Sequence, residues 1–224
     1  RNGSEILDDD FTGTSFTDNT IDTSNGQEYV YYFVQPYNEI GYGNLTSSDL
    51  LFVGEPTPVP FKESFAGGEP THQWMNEKIK GYDPAWGTGS SCPSYPSVEA
   101  QDGDGGFAAF LSTSIAEGDE VRFTSEKIDL SPLTKPELTF YVYQTEGEQT
   151  ADAIVVEASK DNGEFEAVSA PIYASGNETT GWTEYTVSLD KFKGEKNVRL
   201  SFRGISGITH DILIDNISID ESIT

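Results

Sequence analysis

Three groups of residues have the types and spacing to do chemistry. The first is the acidic pair in His210-Asp211-Ile212-Leu213-Ile214-Asp215-Asn216-Ile217-Ser218-Ile219. Ile dominates this stretch and nothing in it breaks an extended backbone, so it reads as a strand. Side chains two apart share a face, which puts Asp211, Leu213, Asp215, Ile217 and Ile219 on one side. A carboxylate on an apolar face is costly unless it is paired or bound to a metal, and no Lys or Arg stands within five residues of Asp215. The second group is Asp102-Gly103-Asp104-Gly105-Gly106. Alternating Asp and Gly lets carboxylates and carbonyls converge on a hard cation such as calcium. This is not an EF-hand loop, since Gly106 falls at the third ligand position and Thr113 at the bidentate Glu position. By itself the motif reads equally well as an acidic turn. The third group is aromatic: Tyr82, Trp86 and Tyr95 in a long irregular stretch over 69–101, and Trp182 just ahead of a strand. Exposed aromatic faces bind sugars and peptides by stacking and apolar contact. Buried ones would plug the ends of a sandwich. The plug role suits Trp74 and Trp182, and Trp86 stands between the two.

Catalytic signatures are thin. Cys92 is the one cysteine, so no disulfide forms within the chain. It lies in the turn-rich Ser-Cys-Pro-Ser-Tyr-Pro with no neighbour to stabilise a thiolate. There is no Gly-x-Ser-x-Gly elbow, His-Glu-x-x-His helix, phosphate loop or dinucleotide fingerprint. With 38 Asp+Glu against 13 Lys+Arg, the net charge over 224 residues is −25. Acid pairs of the kind a glycosidase uses therefore arise by chance, and none has a motif behind it. The same acidity makes nucleic acid and anionic membrane surfaces poor partners and divalent cations good ones. Most of the acids read as a repelling, soluble surface. No apolar run reaches membrane-spanning length, so membrane insertion is not expected. The opening Arg1-Asn2-Gly3 suggests a section of a longer protein.

The elements that must position these groups are strands. Gly, Ser, Thr, Tyr and Phe are plentiful and long helical periodicity is absent, an all-β composition. Residues 1–54 form a first unit, with an aromatic strand over 29–38, a turn at 40–43 and a last strand over 47–53. Residues 55–60 hold three prolines and read as a stiff linker. Residues 61–221 form the second unit. Its strands are expected at 61–65, 107–111, 121–123, 138–143, 154–158, 165–168, 185–189, 198–202 and 212–219. Leu138, Phe140 and Val142 alternate with Thr139 and Tyr141, one face for the core and one for water. Asp161-Asn162-Gly163 is a hairpin signal. Many short strands joined by turns indicate a jelly-roll sandwich.

Two resemblances follow from these residues. The stretch 14–20, then Tyr29-Val30-Tyr31-Tyr32-Phe33-Val34, then Asn38-Glu39-Ile40-Gly41-Tyr42-Gly43 resembles the C-terminal half of a fibronectin type III domain. It implies a partial sandwich, with the earlier strands missing and Pro36 where the pattern has a small residue. In the second unit come Glu63-Ser64-Phe65, Trp74, Asp83-Pro84-Ala85-Trp86, Gly105-Gly106-Phe107, the run 124–130, the run 138–143, Gly181-Trp182 and the run 211–219. That order resembles the MAM and cleaved-adhesin jelly rolls, as in the adhesin modules of gingipain-type proteases. Animal MAM domains carry disulfides that this chain cannot form, so the bacterial branch is the closer match. The resemblance implies a calcium site near the first and last strands, with Glu63 and Asp215 at the matching positions and Asp102 and Asp104 from the Gly-rich loop. It also implies a non-catalytic binding or adhesion module of a bacterial secreted or cell-surface protein, recognising glycan or a host or matrix protein. Tyr82, Trp86 and Tyr95 are the candidate ligand contacts. The alternative is an accessory domain of a secreted protease or glycosidase whose catalytic part lies outside this chain; a purely structural spacer is a third reading.

Overall fold

Alternating apolar residues predict one buried face per strand, and the computed structural model shows them meeting between two seven-stranded sheets. It describes the chain apart from Ser4, Asp49, Tyr82, Asp83 and Thr224. The chain divides into two units, Arg1–Glu55 and Pro56–Thr224.

The first unit is built along one hairpin. Glu28–Val30 pairs with Leu51–Val53, Phe33–Val34 with Thr46–Ser47, and Tyr37–Asn38 with Gly41–Tyr42, all antiparallel. The single strand expected over 29–38 is thus broken into three short pieces. Pro36, which has no N–H to give to a ladder, sits in one of the breaks. Among the described residues of this unit, only Val30 and Phe52 are buried apolar side chains.

In the second unit the first sheet runs Trp86–Gly89, Phe107–Phe110, Ile212–Glu221, Pro136–Glu146. Gly181–Ser188 lies along the far edge of Pro136–Glu146, and Phe61–Glu63 joins the last strand beyond Phe107–Phe110. The second sheet runs Trp74–Lys80, Glu120–Asp129, Val198–Ile205, Ala153–Lys160, Glu166–Ala167. Phe61, Phe110, Phe123, Leu138, Phe140, Leu200 and Phe202 fill the space between the sheets. The predicted hairpin is present: Asp161 and Asn162 both take positive φ, and Glu157 and Ala158 pair with Ala167 and Glu166.

Three expectations need correction. The linker is shorter than expected, because Thr57–Pro58 pairs in parallel with Ile128 and Asp129 as an edge of the second sheet. The stretch 69–101 is not one loop. It contributes two strands, Trp74–Lys80 and Trp86–Gly89; the first mixes Trp, Asn and Lys on one side with Met, Glu and Ile on the other, which hides its alternation. Finally, Asp211, Leu213, Asp215, Ile217 and Ile219 do not share a face. The last strand bulges: Asp215 faces Tyr141 and Ser218 faces Thr139, so Asn216 and Ile217 together oppose Phe140. Asn216 takes φ +48, a left-handed conformation that Asn tolerates better than most residues. The extra residue reverses the phase. Ile212, Ile214, Ile217 and Ile219 all enter the main core, and Leu213 joins a second cluster with Cys92, Phe107 and Ala109 on the outer face of the sheet.

Candidate functional site

The bulge determines where Asp215 goes. One edge of the last strand pairs with Phe107–Phe110 through residue 214 and with Phe61–Glu63 from residue 217. Asp215 and Asn216 fall in the break between those two partners. The loop over 100–106 fills it. The Gln101 N–H donates to one Asp215 oxygen at 2.8 Å, and the Asn216 N–H donates to the other at 2.7 Å. The Asn216 side chain donates to Gln101 Oε1 at 2.7 Å. Asp102 and Asp104 follow directly. The Asp104 carbonyl accepts from Gly67 N–H at 3.2 Å, and Gly106 packs so closely that a Cβ there would lie 1.7 Å from the Phe65 carbonyl oxygen. Asp215 is fully buried, and burial pushes its carboxyl up to about 7; its two N–H partners oppose the shift, and Asp102 and Asp104 add to it.

Asp102 and Asp104 thus stand near enough for their charge to be felt at Asp215. The structure treats Glu63 differently. Its two oxygens accept from the backbone N–H groups of Phe65, Thr71 and His72 and from Trp74 Nε1, at 2.9 to 3.2 Å. The turn after the first strand thus supplies the donors that the buried Glu63 needs, where a cation was expected to do so. Asp211 is likewise served by Thr113, through both N–H and hydroxyl at 2.9 Å, and by the Ser94 hydroxyl. Among the described residues, no three His, Cys, Asp or Glu side chains stand close enough as placed to hold an ion. The charged side chains felt at Asp215, Asp102 and Asp104, offer oxygen atoms, which is the chemistry calcium prefers.

Of the predicted ligand contacts, Tyr82 lies outside the described residues. Trp86 is not a ligand contact. It is 4% exposed, stacks on Phe123 at 5.3 Å, and donates its indole N–H to the Val121 carbonyl at 3.0 Å. It belongs to the inter-sheet core, where Trp74 also packs, stacked on the same Phe123 at 4.8 Å. Tyr95 stands at a surface cleft. Its ring meets Tyr143 at 5.2 Å, and its hydroxyl donates to the Asp211 carbonyl at 3.1 Å. Tyr143 in turn meets Trp182 at 5.5 Å. Trp182 donates its indole N–H to the Glu99 carbonyl at 3.0 Å, which ties the sheet to the loop. Tyr95, Val98, Glu99, Tyr143 and Trp182 line a cleft of about 550 Å³, within the usual size of ligand sites. Sequence reading did not single out Tyr143 beside Tyr95, and the packing role expected of Trp182 agrees with its half-buried place against Phe107. The signal for Tyr143 was present, since it continues the outward-facing side of the 138–143 alternation.

The loop that walls this cleft, 95–100, leads straight into the residues that hold Asp215. Cys92 takes no part in either site. It is buried, donates weakly to Asp211 at 3.5 Å, and burial pushes its thiol up, which disfavours the reactive thiolate.

Comparison with known proteins places this geometry in context. The family model for the MAM domain, meprin/A5/mu, matches residues 64–223. No curated protein matches the chain. Among solved structures, the K1 cleaved adhesin domain of Lys-gingipain from Porphyromonas gingivalis is 19% identical over 73% of this chain and 99% of its own, with a TM-score of 0.51. The K3 cleaved adhesin domain of the same protein is 18% identical over 72% of this chain and 98% of its own, with a TM-score of 0.53. At such identities the likeness is one of fold.

Proposed function

This chain belongs to the MAM domain family, meprin/A5/mu, and from that premise we propose that it is a non-catalytic binding module of a secreted or cell-surface protein, recognising glycan in the Tyr95–Tyr143–Trp182 cleft. The cleft is the observation that carries this reading. Three aromatic rings gather at the surface of a rigid sheet, two of them on strands and the third held by its hydroxyl. The parts of these half-buried rings that reach the surface offer apolar area on which sugar rings stack. A binding role is in keeping with the adhesin modules that share the fold. Three of the most buried carboxylates, Glu63, Asp152 and Asp211, are engaged by N–H donors, and the last two by hydroxyls as well. That suits structural duty better than proton transfer.

A structural calcium ion completes the reading. Asp215, flanked by Asp102 and Asp104, would be its anchor, with carbonyls of the Gly-rich loop as further ligands. Glu63 would stand outside its shell. The ion would join the last strand to the loop that walls the cleft.

The test is a glycan array probed with the whole chain, followed by titration of any hit against Trp182→Ala. Loss of about tenfold or more in affinity is expected, since a stacking aromatic contributes roughly 1–3 kcal/mol. A folded Trp182→Ala that binds the hit as tightly as the parent would remove the cleft from recognition.

A further inference from the structure

We infer that the cleft selects a single neutral glycan chain, and that Glu99 sets this selectivity by rejecting anionic sugars; the inference rests on the glycan-binding reading above. Ring geometry gives the first half. Tyr143 meets Tyr95 at an interplanar angle of 61° and Trp182 at 71°. Three rings so inclined cannot form the flat platform that a crystalline polysaccharide face requires. The aromatic surface they make is uneven and open to solvent, which suits one chain.

Charge gives the second half. Among the residues lining the cleft, Glu99 is the one with a charged side chain, and it is exposed. Its backbone carbonyl holds Trp182, so the residue is anchored beside the rings through its main chain. The indole N–H is already used, which leaves sugar hydroxyls the Glu99 carboxylate as a strong acceptor. A carboxylate with two free oxygens suits the paired hydroxyl donors of a neutral sugar. It repels a uronate, sulfate or sialic acid, and the net charge of −25 adds to that repulsion. A cleft of inclined aromatics with one carboxylate could also enclose a quaternary ammonium. The cleft is open to solvent, which favours an extended ligand over a small cation that needs enclosure.

The experiment measures binding of the whole chain, parent and Glu99→Gln, to neutral oligosaccharides and to matched uronate-containing ones at low salt. A choline probe is included as competitor. The parent should bind a neutral series and discriminate against its uronate counterpart. Glu99→Gln should narrow that gap by about five- to tenfold, the effect of removing one unit charge at close range near the surface, while still binding the neutral series. An equal preference for uronates in the parent, or a gap unchanged by Glu99→Gln, overturns the inference and leaves the glycan reading standing. Choline binding without sugar binding, or no glycan binding at all, overturns both.

Discussion

At Asp215, burial and bonding act in opposite directions. Desolvation raises the carboxyl from an ordinary 3.8 to about 7, while the N–H groups of Gln101 and Asn216 favour the charged form. A carboxyl whose folded pKa lies above its unfolded value stabilises the fold fully below the unfolded pKa and loses that contribution as pH rises through the folded one. In chelator, the stability of the parent relative to Asp215→Asn should therefore fall between about pH 4 and about pH 7, read by denaturant melts across that range. Calcium would need the charged form, so the ion competes with the proton. The calcium-induced rise in melting temperature should grow from pH 6 to pH 8 and vanish in Asp215→Asn. No shift in the parent at pH 8 would dispose of the site, and an equal shift in both proteins would move it elsewhere. The need of Asp215 for a partner was legible in the sequence, because a lone acid among isoleucines advertises its own cost. The answer at Glu63 was not. Its partners are backbone N–H groups of residues 65, 71 and 72, donors that every residue but proline carries and no residue type announces.

The strand elements show the same division. Alternation in 138–143 located the core face of that strand, because nothing interrupts its period of two. In the last strand a single residue did interrupt it. Asn216 adds a bulge, and the face assignment for every residue beyond it inverts. Sequence pattern alone makes Asn216 look like a polar gap in an isoleucine strand, so Asn216→Val would seem an improvement. We expect the reverse. A β-branched residue held at φ +48 is strained by roughly 1–2 kcal/mol, and the bond from Asn216 to Gln101 is lost as well. Asn216→Gly loses the same bond without the strain. Chemical denaturation should rank parent above Asn216→Gly, and Asn216→Gly above Asn216→Val. If Asn216→Val were as stable as Asn216→Gly, the left-handed bulge would not be what the position requires. The other sheet carries its charges differently: Arg122 and Arg203 bracket Glu157 at 2.6 and 2.9 Å, and Phe165 lies over Arg122 and Arg199. These pairs match the charges of that outer face to one another.

For the whole molecule, the two units differ in what holds them together. The jelly roll buries aromatic and aliphatic side chains between two sheets, with a second cluster on the outer face of one. The first unit buries Val30 and Phe52 and leaves Ile6, Phe16, Val34, Ile40, Tyr42 and Leu45 exposed. Its strands of two or three residues offer few ladder bonds, and much of its order rests on polar contacts. Arg1 donates to Asp18 at 2.7 Å, Tyr32 donates to the same carboxylate at 3.0 Å, and the Thr20 hydroxyl and N–H hold Asp18 well below the usual carboxylate range. Polar contacts of this kind near the surface contribute far less than an apolar core would. Local opening costs least where few apolar contacts are lost. Amide hydrogen exchange on the dilute monomer should therefore show residues 28–53 exchanging through low-energy openings, while 136–146, 198–205 and 212–221 exchange only with global unfolding. Added urea should leave the exchange of the first group nearly unchanged and speed the second steeply, because the exposed area differs between the two kinds of opening. Equal protection and equal urea dependence in both units would mean that the exposed aromatic face of the first unit is covered in solution, and would redirect attention to what covers it.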